Sequence, residues 1–177
     1  MKRIVVIVTA MLMSIPLVVY AQKSEEADPV LKLFNQYEEK EGVESVSISP
    51  ALLGLMKGGK ANDKKTQELI SKITGLRILA IADSTDSRRR VNREAFTAEL
   101  RAIVKADFEE IMKMKTANER IELYVRSKPD CKSNDCKSAL LFIISANSSI
   151  SATHLAGTVD KTLIDAVING EISLSNK

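Results

Sequence analysis

The sequence predicts an α+β protein: a two-layer fold with a mostly antiparallel sheet of about five to six strands and helices packed on one face. Three observations carry this. Helical periodicity dominates the first half of the chain, four strand-like segments follow one another between residues 107 and 157, and a last helical segment closes the chain. Two of the strand candidates, LRILAIA (76–82) and ALLFIISA (139–146), are almost wholly apolar, as central strands are.

The elements follow in order. Asp28 and Pro29 form an N-cap and first helical residue, and Val30, Leu33, Phe34 and Tyr37 recur at helical spacing until Gly42. ESVSIS alternates Val46 and Ile48 with serines, the period of a half-buried strand. Ser49 and Pro50 open a helix, ALLGLM, that breaks at the turn of Gly58 and Gly59. Asn62 or Asp63 caps a third helix with Leu69, Ile70 and Ile73 on one face, ending at Gly75. LRILAIA is then expected to be buried on both faces. The charged loop DSTDSRRR leads into a fourth helix with Phe96, Leu100, Ile103 and Val104 on one side. EEIMKMK and RIELYVR flank TANE as a β-hairpin, and the alternation of Arg120, Glu122, Tyr124 and Arg126 with Ile121, Leu123 and Val125 predicts one wet face. After ALLFIISA, NSS turns the chain into ISATHLAG. Gly157 releases it toward Asp160, the cap of a last helix bearing Leu163, Ile164, Val167 and Ile168.

Residues 1–21 carry Lys2 and Arg3 ahead of an apolar run from Ile4 to Tyr20, with Val19 and Ala21 at the small-residue positions of a cleavage site. This is the pattern of a secretory leader cut before Gln22. Pro16 and the modest length of the run make a retained anchor the weaker reading. No cysteine follows the cut, so the chain is not expected to be a lipoprotein. The expected organisation is a leader at 1–21, a polar lead-in at 22–28, one domain at 28–170 and a flexible tail at 171–177. Removing the leader leaves 156 residues with 24 basic and 23 acidic side chains, a net charge of +1 in place of +3. The apparent basicity goes, and with it the case for a nucleic-acid partner. Without Trp and with few Tyr and Phe, stacking platforms for sugars or bases are scarce, and Tyr124 is the best single residue for one.

Export also decides how the two cysteines are read. Cys131 and Cys136, with four residues between them in a polar loop, are expected to form an intramolecular disulfide under oxidising conditions. Structural zinc needs four ligands, and the lone His154 lies eighteen residues beyond Cys136. A redox pair normally has two intervening residues at a helix N-terminus. His154 itself lacks an evident Asp, Ser or Cys partner, and a structural role is favoured over catalysis. Asp83, Asp86 and Glu94 at the exit of the central strand could act as acid and base or hold calcium, but Arg88, Arg89 and Arg90 stand among them, and a solvated loop with local ion pairs is the favoured reading. Met56, Met112 and Met114 read as core filling. There is no G-x-S-x-G elbow and no phosphate loop, and neither metal nor cofactor is expected.

The segments SVSISPALLGLM, LISKITGLRILAIA, FTAELRAIV, FEEIMKMKTANERIELYVRSK and HLAGTVDKTLI, in that order behind an export leader, resemble the domain of unknown function 4252 family. The resemblance spans roughly residues 28 to 170. It implies a small bacterial envelope protein, of a group with many lipoproteins and often linked to extracytoplasmic-function sigma factors, and it transfers no catalytic residue. The function expected is therefore non-catalytic, in the periplasm or cell envelope, through contacts with a protein partner and without a membrane span once the leader is gone. The alternative is a small exported hydrolase or ligand-binding protein that uses acidic residues near Asp83 and Asp86.

Overall fold

The computed structural model of the chain describes residues 28–57, 64–82, 87–127 and 137–169. The leader, the Gly58–Gly59 turn, Asp83 and Asp86, the Cys131–Cys136 loop and the tail lie outside them. The elements run α1 (Pro29–Tyr37), β1 (Val43–Ile48), α2 (Pro50–Lys57), α3 (Lys64–Lys72), β2 (Ile73–Ala82), α4 (Ser87–Asp107), β3 (Glu109–Lys115), β4 (Glu119–Ser127), β5 (Lys137–Ala146), β6 (Ser149–Val159) and α5 (Lys161–Ile168). All six strands join one antiparallel sheet in the order β1-β2-β6-β5-β4-β3. The α+β class holds. The four late strands form the expected meander, because successive antiparallel strands joined by short connections pair with their neighbours. β2 then pairs with β6 from the far end of the chain.

The helices divide between both faces of the sheet, where one face was expected. Leu79 and Ile81 of β2, Ile150 and Ala152 of β6, Leu141 and Ile143 of β5 and Tyr124 of β4 pack with α1 and α4. The opposite parity, including Leu155, Leu140, Leu123 and Val125, packs with Leu53 of α2, Leu69 of α3 and Leu163 and Val167 of α5. β4 and β5 explain this division, since each buries consecutive residues and so has an apolar set on either side. Such strands need two covers. LRILAIA is less deeply placed than expected: Leu79 and Ile81 are buried, but Leu76, Ile78 and Ala80 are only half-buried, because β2 is one strand from the edge.

On the first face, Phe96 of α4 meets Tyr37 edge-on at 5.2 Å and Phe34 at 6.0 Å between ring centroids. These rings dock α1 on α4. The N-caps at Asp28 and Asp160 form as the sequence predicts. α3, in contrast, does not run to Gly75. It ends at Lys72 and passes directly into β2 at Ile73, and the strand register shifts between Ile73 and Gly75. The cause lies in β6. Gly157 (φ +148°) brings its backbone so near this junction that a Cβ would stand 2.1 Å from the Lys72 carbonyl oxygen. Lys72 Nζ meets the Asp160 carboxylate at 2.8 Å, and Asp160 in turn caps α5 through the Leu163 amide at 3.0 Å. One junction thereby joins α3, β2, β6 and α5.

Candidate functional site

The wet strand face expected from Arg120, Glu122, Tyr124 and Arg126 is instead the floor beneath α1 and α4. Glu122 is fully buried and Tyr124 nearly so. Alternation of polar with apolar residues places two sets on two faces. It does not say which set meets water, and here helices cover the polar set and pair with it.

At one end of this floor stands Asp28. Its Oδ1 accepts from the Val30 amide at 2.9 Å, as an N-cap should, while Oδ2 accepts from the Arg126 guanidinium and lies 3.1 Å from His154 Nε2. The His154 pair is a close polar contact and not a hydrogen bond. Burial alone would raise the Asp28 pKa. His154 and Arg126 outweigh that and hold the carboxyl well below the usual carboxylate range. The far end of α1 is tied as well, since Arg77 on β2 donates to Asn35 and to Glu38, the latter at 2.5 Å. Tyr37 donates from its hydroxyl to Glu99 of α4 at 2.7 Å. Burial and the Glu99 carboxylate push the Tyr37 phenol up to about 12. A helix of nine residues is thus anchored at both ends, which short helices need because they are marginal alone.

Farther along the floor, Arg101 of α4 reaches Glu122 with two hydrogen bonds, 2.7 and 3.3 Å, and the Tyr124 hydroxyl donates to the same carboxylate at 3.0 Å. Lys113 Nζ at 3.7 Å and Arg120 Nη1 at 4.0 Å add two more cations. Burial would raise the Glu122 pKa, and Arg101 above all brings it below its ordinary value. Burial and Glu122 drive the Tyr124 phenol up to about 12.

Beside this cluster a cleft of about 220 Å³ opens between α4 and the tips of the β3–β4 and β5–β6 hairpins. α4 contributes Arg93, Thr97 and Arg101, a ridge at spacings of four residues beside its apolar stripe. The hairpins contribute Lys115, Arg120 and Ser145, among others. Ser145 Oγ is buried and has no hydrogen-bond partner.

A third feature is the outer edge of β1. Among the described residues no strand pairs with it. VESVSI carries one charge, Glu44, and Val46 is 42% exposed. On α2, the next element, Leu52 and Leu55 are 47% and 76% exposed. The opposite edge, β3, is guarded differently, with Glu109, Glu110, Lys113 and Lys115 along it and a register shift between Glu110 and Met112.

The family model described as "Domain of unknown function (DUF4252)" matches residues 37–167. The chain belongs to this family. The resemblance read from its residues is therefore correct. No curated protein and no solved structure matches the chain.

Among the described residues of this DUF4252 chain, no three His, Cys, Asp or Glu side chains gather to hold a metal, and no helix is long and apolar enough to cross a membrane. His154 does have an acidic partner, contrary to the sequence reading, yet its side chain is 1% exposed beneath α1, where no substrate reaches it. Glu94 faces solvent, with Arg93 at 4.0 Å. Tyr124, buried and bonded to Glu122, cannot serve as a sugar platform. Met112 packs in the core, but Met114 is half exposed on the edge strand, so core filling does not explain it. Sequence reasoning missed Glu122, Arg101 and Ser145. The one available signal was the 93, 97, 101 spacing of polar residues next to the apolar stripe of α4.

Proposed function

We propose that this DUF4252 protein is exported, loses residues 1–21 and works in the periplasm or cell envelope as a non-catalytic partner of another protein, in a system linked to extracytoplasmic-function sigma factors. The observation that supports this reading is the β1 edge. A six-residue strand whose outer edge pairs with no strand among the described residues, with one charge and with Val46, Leu52 and Leu55 exposed on it and on the next helix, suits the addition of a strand from a partner. Main-chain pairing would supply affinity, and Val46, Leu52 and Leu55 would supply apolar contact. In the same oxidising compartment Cys131 and Cys136 form an intramolecular disulfide, and thiol titration of the unreduced exported protein should find no free thiol.

Site-specific photo-crosslinking tests the edge. A photoreactive side chain at Ser45 or Ser47 should trap one reproducible envelope protein, and Val46→Lys should abolish the adduct. The same probe at Lys161, on the exposed surface of α5, should trap nothing. Identical adducts from both places, or none from β1, would refute the reading.

A further inference from the structure

We propose that the cleft between α4 and the two hairpin tips is a binding site for a phosphoryl group. The charges around it do not balance. Arg101, Lys113 and Arg120 all lie within 4.0 Å of the single carboxylate of Glu122. Lys113 also meets Glu110 at 3.4 Å, so Arg120 is left with the longest and weakest of these contacts. Lys115, on the same hairpin, has no ion-pair partner among the described residues. Arg101, Lys115 and Arg120 therefore line the cleft against one lining carboxylate, Glu119, and Arg93, which meets Glu94 at 4.0 Å, borders it as well.

The second observation is Ser145. Buried hydroxyls are nearly always hydrogen-bonded, and Ser145 Oγ is out of solvent with no protein partner, while its residue borders this cleft. A change of its χ1 rotamer turns this hydroxyl toward an acceptor held in the cleft. Arg120 stands directly across from it, since Arg120 and Ser145 are paired residues of β4 and β5.

Shape selects the class of anion. Donors come from three directions: α4, the β3–β4 tip and the β5–β6 tip. A planar carboxylate is satisfied by one guanidinium fork, whereas a tetrahedral phosphoryl group takes donors from several sides. A volume of about 220 Å³ is below the ~300–1,000 Å³ of sites that enclose a drug-sized ligand, so the cleft holds the phosphoryl group with a small substituent and leaves the rest of the molecule outside. That group can belong to a small soluble phosphate or to the headgroup of a lipid.

Two titrations separate these sources. In the first, the ¹⁵N-labelled protein is titrated with inorganic phosphate against chloride at constant ionic strength, and amide shifts of residues 115–120 and 145–149 are followed. In the second, sedimentation is measured with vesicles containing phosphatidic acid and with vesicles of phosphatidylcholine alone. The inference expects saturable shifts confined to the hairpin tips, binding to phosphatidic acid vesicles, or both. Lys115→Ala and Ser145→Ala should each weaken that binding by about tenfold, the scale of one charge-assisted hydrogen bond. Lys161→Ala removes one positive charge on the other face of the sheet and should change nothing. Shifts without saturation, an equal loss in the Lys161 variant, full binding in the Ser145 variant, or no binding in either titration would overturn the inference. The β1 edge is not involved, so the fate of that reading is independent.

Discussion

Replacing Arg101 by alanine strips Glu122 of its main partner while leaving the carboxylate in place. Glu122 is fully buried, and breaking a buried pair from one side costs about 3–5 kcal/mol. Two features reduce that here. The Arg101 side chain is itself 37% exposed, and Lys113, Arg120 and the Tyr124 hydroxyl remain near the carboxylate. The expected loss is about 2–3 kcal/mol, a fall of about 5–10 °C in Tm for a chain of this length. Urea unfolding should show a lower midpoint at unchanged slope. The pH dependence carries the sharper test. Because Arg101 holds the Glu122 pKa below its ordinary value, the stability it supplies is present at neutral pH and is lost as pH falls through the folded value. The gap between wild type and variant should therefore close below about pH 4. In a Glu122→Gln background the same Arg101→Ala change should cost under about 1 kcal/mol. Equal stability of Arg101→Ala and wild type at pH 7, or a gap that widens in acid, would refute the account of a buried carboxylate held by α4.

Other expectations follow from the same geometry. Gly157→Ala should cost about 3 kcal/mol or more in thermal unfolding, because φ is positive and the added Cβ meets the Lys72 backbone. Gly54→Ala, in α2 with open space around it, should instead raise stability by about 0.5–1 kcal/mol. Asp28→Ala removes the α1 cap and the partner of Arg126, and a loss of about 2–3 kcal/mol is expected by urea titration. Tyr37 and Tyr124 keep their protons to about pH 12 in the folded state and to about 10 when unfolded, so stability should fall between those values by on the order of 2 kcal/mol for each. The double Tyr37→Phe, Tyr124→Phe variant should lose that alkaline slope.

Several elements were legible because they depend on local order. The 3.6-residue recurrence of Val30, Leu33, Phe34 and Tyr37, and of Phe96, Leu100, Ile103 and Val104, located α1 and α4 and named the residues they bury. Asp28 and Asp160 were read as caps, and cap they do. The errors have one common form. Local sequence makes Gly75 a helix stop, Tyr124 exposed and His154 unpartnered, and in each case the deciding neighbour is distant in the chain. Lys72 meets Gly157, Glu122 and Tyr124 lie under Arg101, and His154 lies 3.1 Å from Asp28 at the other end of the described chain.

The amino-acid order alone settled the class of fold, the existence of the described strands and helices, and the family. Those follow from periodicity, capping and turn chemistry, which act over a few residues. Tertiary structure decided which side of each strand meets water, that helices cover both faces of the sheet, that β2 lies against β6, and where charge collects beside α4. Such features arise only when distant segments pack, because burial and pairing energies are properties of contacts between elements and not of any one segment.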